Sequence, residues 1–161
     1  LPERARSEAD AHPEDPGILI WNGIILSSYA GEKGGLGALG LVKEARRSLE
    51  QALRLDPGAL QGSAHTSLGS LYYKVPGWPL GFGSDKEARM HLNAALSLNP
   101  MGIDPNYFMG EFLLEQGEYD AARRHLETAL AAPNRPGREL ADQGRRQEIR
   151  ALLARIEEQR G

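Results

Sequence analysis

The residues that could do chemistry are few: four histidines, a glycine run and scattered carboxylates, with no cysteine in 161 residues. His91 and His125 stand at equivalent places in two similar segments, "EARMHLNAALSLNP" and "DAARRHLETALAAP". Two imidazoles side by side can ligate a metal, but a zinc site takes three or four ligands. No i, i+4 His pair or nearby acid supplies the rest. The expectation is therefore solvated helix-face histidines and no metal. His65 is expected as a core residue bonded to backbone rather than as a base, and His12 lies in an acidic N-terminal stretch. "GLGALG", Gly35 to Gly40, spells the dinucleotide pattern G-x-G-x-x-G. That pattern works only between a strand and a helix of a β-α-β unit, and no strands are legible here. The five glycines of Gly31 to Gly40 read instead as a loop. No phosphate loop and no Ser/His/Asp spacing survives, so the expectation is a chain without catalytic residues or cofactor: not an enzyme.

The formal charge is -3, and the first 17 residues account for it through Glu3, Glu8, Asp10, Glu14 and Asp15 against Arg4 and Arg6. With no basic run, nucleic acid is excluded as an expected partner. No apolar stretch reaches the roughly 18 residues of a membrane span. The sequence begins at Leu1, which is read as either processing, with an exported and periplasmic setting, or trimming of a soluble cytoplasmic protein.

Chemistry so sparse shifts attention to the elements. Ala45, Leu49, Ala52 and Pro57 match Ala88, Leu92, Ala95 and Pro100 residue for residue, and Ala122, Leu126 and Ala129 continue the series. From Ala88 to Ala122 is 34 residues; from Ala45 to Ala88 is 43. "HTSLGSLYY" precedes the second copy, with Leu68, Gly69 and Tyr72, and "NYFMGEFLLEQGEYDAA" the third, with Gly110, Gly117 and Tyr119; Asn22, Gly23 and Leu26 align in the first. On these residues the sequence resembles the tetratricopeptide repeat (TPR) family over roughly 16 to 133. "YYKVPGWPLGFG", "GIDPNYFMGEFLLEQGEYDAA" and "RPGRELADQGRR" are similar to bacterial, exported repeat proteins of that family without assigned activity.

The resemblance implies an all-α, right-handed TPR-like helical solenoid of about three helix-turn-helix repeats plus a C-terminal capping helix. A single domain, 1–161, would divide into an N-terminal segment 1–15, repeats 16–57, 58–100 and 101–134, and a cap 137–160. The residues agree. Asp15-Pro16 and Asp104-Pro105 read as helix starts, and Ser84 to Glu87 as a capping box. Ile149, Leu152, Leu153 and Ile156 form an apolar stripe, while the charges from Arg135 to Arg160 read as a solvated face.

The family binds peptides or protein segments in a concave groove lined by first helices. Carried onto this chain, that face includes Ile20, Ile24, Thr66, Ser70, Tyr73, Tyr107, Glu111 and Glu115. For Ile20 and Ile24 the apolar run "ILIWNGIIL" favours cover by the N-terminal segment or by another subunit. The excess over 34 residues falls in two insertions, Ala30 to about Leu41 and Lys74 to Ser84, expected side by side. The second carries Trp78 and Phe82 along the loop edge; self-packing, with Trp78 buried, is the favoured expectation. The function expected is a noncatalytic protein-binding scaffold whose partner is a protein or peptide. The alternatives are a small-molecule component resembling the TPR lipoproteins of TRAP transporters, and a self-assembling homo-oligomer.

Overall fold

The computed structural model describes residues 1–160, which form helices and connections without a named strand. The chain divides into two compact units, Leu1–Leu98 and Asn99 onward.

The first unit holds α1 (Pro2–Ala11), α2 (Pro16–Lys33), α3 (Gly35–Leu55), a 3-10 turn (Ala59–Gly62), α4 (Ser63–Lys74) and α5 (Asp85–Leu98). Helix α1 packs on α2, α2 pairs with α3, α3 meets α4, and α4 pairs with α5. The start of α2 is the expected one: Asp15 Oδ1 accepts from the Ile18 N–H at 3.1 Å, and Pro16 stands where a missing donor costs nothing. The start of α5 forms only half of the expected capping box, in which Glu87 would also reach back to the Ser84 N–H; that N–H donates to Tyr72 O instead. Ser84 Oγ accepts from the Glu87 N–H at 3.2 Å, while the Glu87 carboxylate turns toward His91, 4.0 Å away.

The glycine run is not the expected loop. Helix α2 continues to Lys33 and α3 begins at Gly35, so the chain turns within Gly34 and Gly35, at φ 65° and 71°. Glycine lowers helix propensity by about 1 kcal/mol but forbids nothing, and no proline lies between Pro16 and Pro57. The extra length becomes helix: α2 and α3 run 18 and 21 residues against 12 and 14 for α4 and α5. In the second hairpin, Pro76 and Pro79 remove backbone donors, and the same excess stays a loop.

The second unit holds α6 (Ile103–Glu115), α7 (Tyr119–Ala131) and α8 (Glu139–Arg160), each packed on the other two. Helix α6 starts one residue before the expected cap. Gly102 takes the N-cap place, and Asp104 lies inside the first turn. On α8, Ile149, Leu152 and Ile156 of the apolar stripe are buried, while Leu153 is half-buried.

One close contact recurs in all three hairpins. A Cβ on Gly23 would lie 2.5 Å from Leu49 Cγ, one on Gly69 2.7 Å from Leu92 Cγ, and one on Gly110 2.6 Å from Leu126 side-chain carbons. Those leucines are fully buried, as are the flanking Ala45, Ala52, Ala88, Ala95, Ala122 and Ala129. Small residues on both helices let the backbones approach, and each leucine fills the notch its glycine leaves.

Candidate functional site

The second-helix position three residues after the first alanine of each copy is polar, and in each hairpin it bonds to the first helix. Ser48 Oγ donates to the Leu19 carbonyl at 2.8 Å, and Asn22 Nδ2 donates to Ser48 Oγ at 3.1 Å. His91 Nδ1 lies 3.0 Å from His65 Nδ1, and His125 Nδ1 donates to Asn106 Oδ1 at 2.9 Å. Leu19, His65 and Asn106 each stand four residues before the hairpin glycine, so the three bonds are one structural position with three chemistries.

This arrangement corrects the reading of the histidines. His91 is buried, stacks on Tyr72 with ring centroids 5.5 Å apart, and bonds to His65. It is not a solvated side chain, and His65 bonds to an imidazole rather than to backbone. Two Nδ1 atoms in contact share one proton, so one ring donates and the other accepts. Burial holds both imidazoles below their ordinary pKa, and the neighbouring His91 pushes His65 the same way. Burial lowers His125 as well. No group of three or more His, Asp or Glu side chains among the described residues could hold a metal ion.

The residues expected along an open groove divide by register. Ile20, Thr66 and Tyr107, each three residues before a hairpin glycine, are buried and closed to a partner. Ile24, Ser70 and Glu111, each one residue after it, are half-buried, as is Tyr73, while Glu115 is exposed. The missed signal was the glycine itself. A residue three positions earlier shares its helix face, and that face is the one in closest contact.

Tyr107 shows what closes one of these positions. Its hydroxyl lies 3.2 Å from Glu111 and 3.1 Å from Glu148, and the Arg145 guanidinium sits 4.4 Å from its ring centroid. Burial and the two carboxylates hold the phenol far above its ordinary pKa. Arg145 and Arg135 both donate to Asp104 at 3.1 Å. Arg135 donates its Nε at 2.9 Å and its backbone N–H at 2.8 Å to Asp142, which has no exposed surface. Part of the charge run expected as a solvated face is thus the internal bonding of the second unit. Asp104, expected as a helix cap, serves as the acceptor between two arginines.

The loop edge departs furthest from expectation. Trp78 is 91% exposed, so the loop does not bury it. Phe82 is the inward member: it meets Tyr72 edge-on with centroids 5.5 Å apart, and the Arg46 guanidinium lies 4.7 Å from its ring. Arg46 is held in turn by Glu50 at 2.8 Å. The backbone closes the loop. Gly83 N–H donates to Pro76 O at 2.9 Å, Ser84 N–H to Tyr72 O at 2.8 Å, and Leu80 N–H to Gly77 O at 3.1 Å. A Cβ on Gly83 would lie 1.9 Å from Val75 O, so only glycine permits that closure. The two insertions are neighbours as expected, since a Cβ on Gly81 would sit 3.6 Å from Leu39 of α3. Leu80 is 70% exposed, and Leu36, one turn before Leu39, is 88% exposed. Sequence reading placed Leu36 in a loop and gave it no role.

No protein-family model matches the chain, and no curated protein matches it.

Proposed function

We propose that this chain is a noncatalytic docking module, built from TPR-like hairpins and attaching to a partner surface through the loop edge around Trp78. The observation that carries this is the contrast within one loop: Phe82 is fixed against Tyr72 and Arg46 while Trp78, four residues earlier, stands 91% exposed. A closed, hydrogen-bonded loop holds its backbone in place, so an indole on it is presented at little ordering cost. Exposed Trp on such a surface is the residue type most enriched where binding energy concentrates. The repeat reading is supported by the Gly–Leu contact common to the three hairpins and by the polar bond at one equivalent position in each.

The test is a photoreactive phenylalanine analogue placed at position 78 and irradiated in cells that make the protein. Covalent adducts are expected at position 78 and not at Glu127, an exposed residue of α7. Equal yields at the two positions, or none at either, would overturn the docking edge.

A further inference from the structure

The chain has four lysines, Lys33, Lys43, Lys74 and Lys86, and 15 arginines. All four lysines border the two insertions. Lys33 ends α2 and runs alongside the first turn of α3, its Cε 3.2 Å from where a Cβ on Gly37 would lie. Lys43 follows Leu36 by two helical turns and Leu39 by one, on the α3 face that meets the Trp78 loop. Lys74 is the last residue of α4, where that loop departs, and Lys86 lies in the first turn of α5, where it returns. Every one of them is exposed. The carboxylates nearby are already engaged or few. Glu44 accepts from Arg6, Glu50 from Arg46, and Glu87 faces His91. Glu32 and Asp85 stand beside Lys33 and Lys86, and Glu87 faces a histidine that burial keeps neutral, so four cations against three anions leave an excess of one positive charge on this edge.

Resting on the docking reading above, we infer that the occupant of this edge is an anionic phospholipid bilayer surface, with Trp78, Leu80 and Leu36 entering the headgroup region and the four lysines around them. Three features favour a bilayer over a protein partner. Protein interfaces are enriched in arginine and depleted in lysine, whereas this edge carries every lysine of an arginine-rich chain. Lysine is a compact charge on a flexible stem, suited to a diffuse field of phosphates and able to extend its ammonium to the surface while its methylenes lie in apolar surroundings. An indole with one polar N–H prefers the boundary between headgroups and chains. The attachment is peripheral. No helix among the described residues is long and apolar enough to cross a membrane.

Flotation of the whole chain with vesicles tests this, comparing phosphatidylcholine alone with phosphatidylcholine containing phosphatidylglycerol. Binding is expected only with the anionic lipid, weakening as salt rises. Each lysine near such a surface is worth about a fivefold change in partitioning, so replacing all four with Gln lowers binding by about 600-fold. In a Trp21→Phe chain, whose remaining indole is Trp78, emission is expected to shift to shorter wavelength on vesicle addition; Trp78→Ala weakens flotation while leaving the helical circular dichroism intact. Equal binding to both lipids, or binding indifferent to the lysines and to Trp78, overturns the inference. No flotation together with protein adducts from position 78 overturns the bilayer and leaves the docking edge standing. Neither flotation nor adducts removes both.

Discussion

A shared proton between His65 and His91 sets a condition on the fold that neither imidazole imposes alone. The 3.0 Å Nδ1–Nδ1 contact holds only while one ring is neutral. Tyr72 stacks on His91, and the charged groups around the pair are Glu87, Glu50 and Arg46. The two carboxylates favour protonation of His91, yet burial outweighs them and its pKa stays below the ordinary value. A base whose pKa is lower folded than unfolded binds fewer protons in the fold, so stability is fully present above the unfolded pKa of about 6.5 and is lost as pH falls through it toward the folded value. His125, lowered by burial and by Arg124, acts in the same direction. Urea unfolding is expected to show a lower midpoint near pH ~5.5 than near pH ~7.5, with a smaller difference when His65 and His91 are both replaced by Leu. An unchanged midpoint across that interval would remove the histidines from the account of stability. That these histidines pair was not legible in the sequence. Repeat alignment placed His91 correctly on a second helix, but the partner four residues before Gly69 emerges only when the helices are packed.

At the scale of the element, the hairpin rests on a glycine facing a leucine, and the two kinds of helical glycine separate cleanly. Gly69→Ala places a Cβ 2.7 Å from Leu92 Cγ and 3.3 Å from Leu92 N, so the hairpin must open; the expected loss is about 1–3 kcal/mol. Gly144 on α8 has nothing within 4 Å of its would-be Cβ, and Gly144→Ala is expected to stabilise by up to about 1 kcal/mol. Thermal unfolding of the two variants checks both signs. The repeat was legible, since Gly23, Gly69 and Gly110, and Leu49, Leu92 and Leu126, fall at equivalent places in the three copies, but that each glycine receives a leucine emerges only when the helices are packed. The insertions were less so, because two sequences of similar glycine content took different courses. Ten residues before Ala45 stands Gly35, opening a helix; ten before Ala88 stands Trp78, in a loop. Proline content decided between them, and glycine content had pointed to a loop in both. The six residues by which α2 exceeds α4 lengthen the first hairpin by about 9 Å, at 1.5 Å per residue.

For the whole molecule, two compact units imply two places where unfolding can begin. The second unit is bonded through Arg135, Asp142, Asp104 and Arg145, with the fully buried Asp142 accepting from both the side chain and the backbone of Arg135. The Arg135 hydrogen bond holds the Asp142 carboxyl below its ordinary pKa, so this contribution is present above that value and is lost only in stronger acid than the histidine effect. Asp142→Asn removes the charge but keeps the shape. Hydrogen exchange in that variant is expected to accelerate in residues 99–160 before it does in residues 1–98. Uniform acceleration would mean that the chain opens as one body.

The uneven use of the two basic residues also fixes how the molecule answers reagents. Apart from the N-terminus, every primary amine in the chain lies along one edge. Acetylation would remove the four lysine charges, turning that edge acidic, and leave the arginine network of the second unit untouched. Amine coupling to a solid support through those lysines would set that edge against the support, hiding Trp78. A lysine-specific protease has the same restricted view, with four sites, all at the ends of the two insertions.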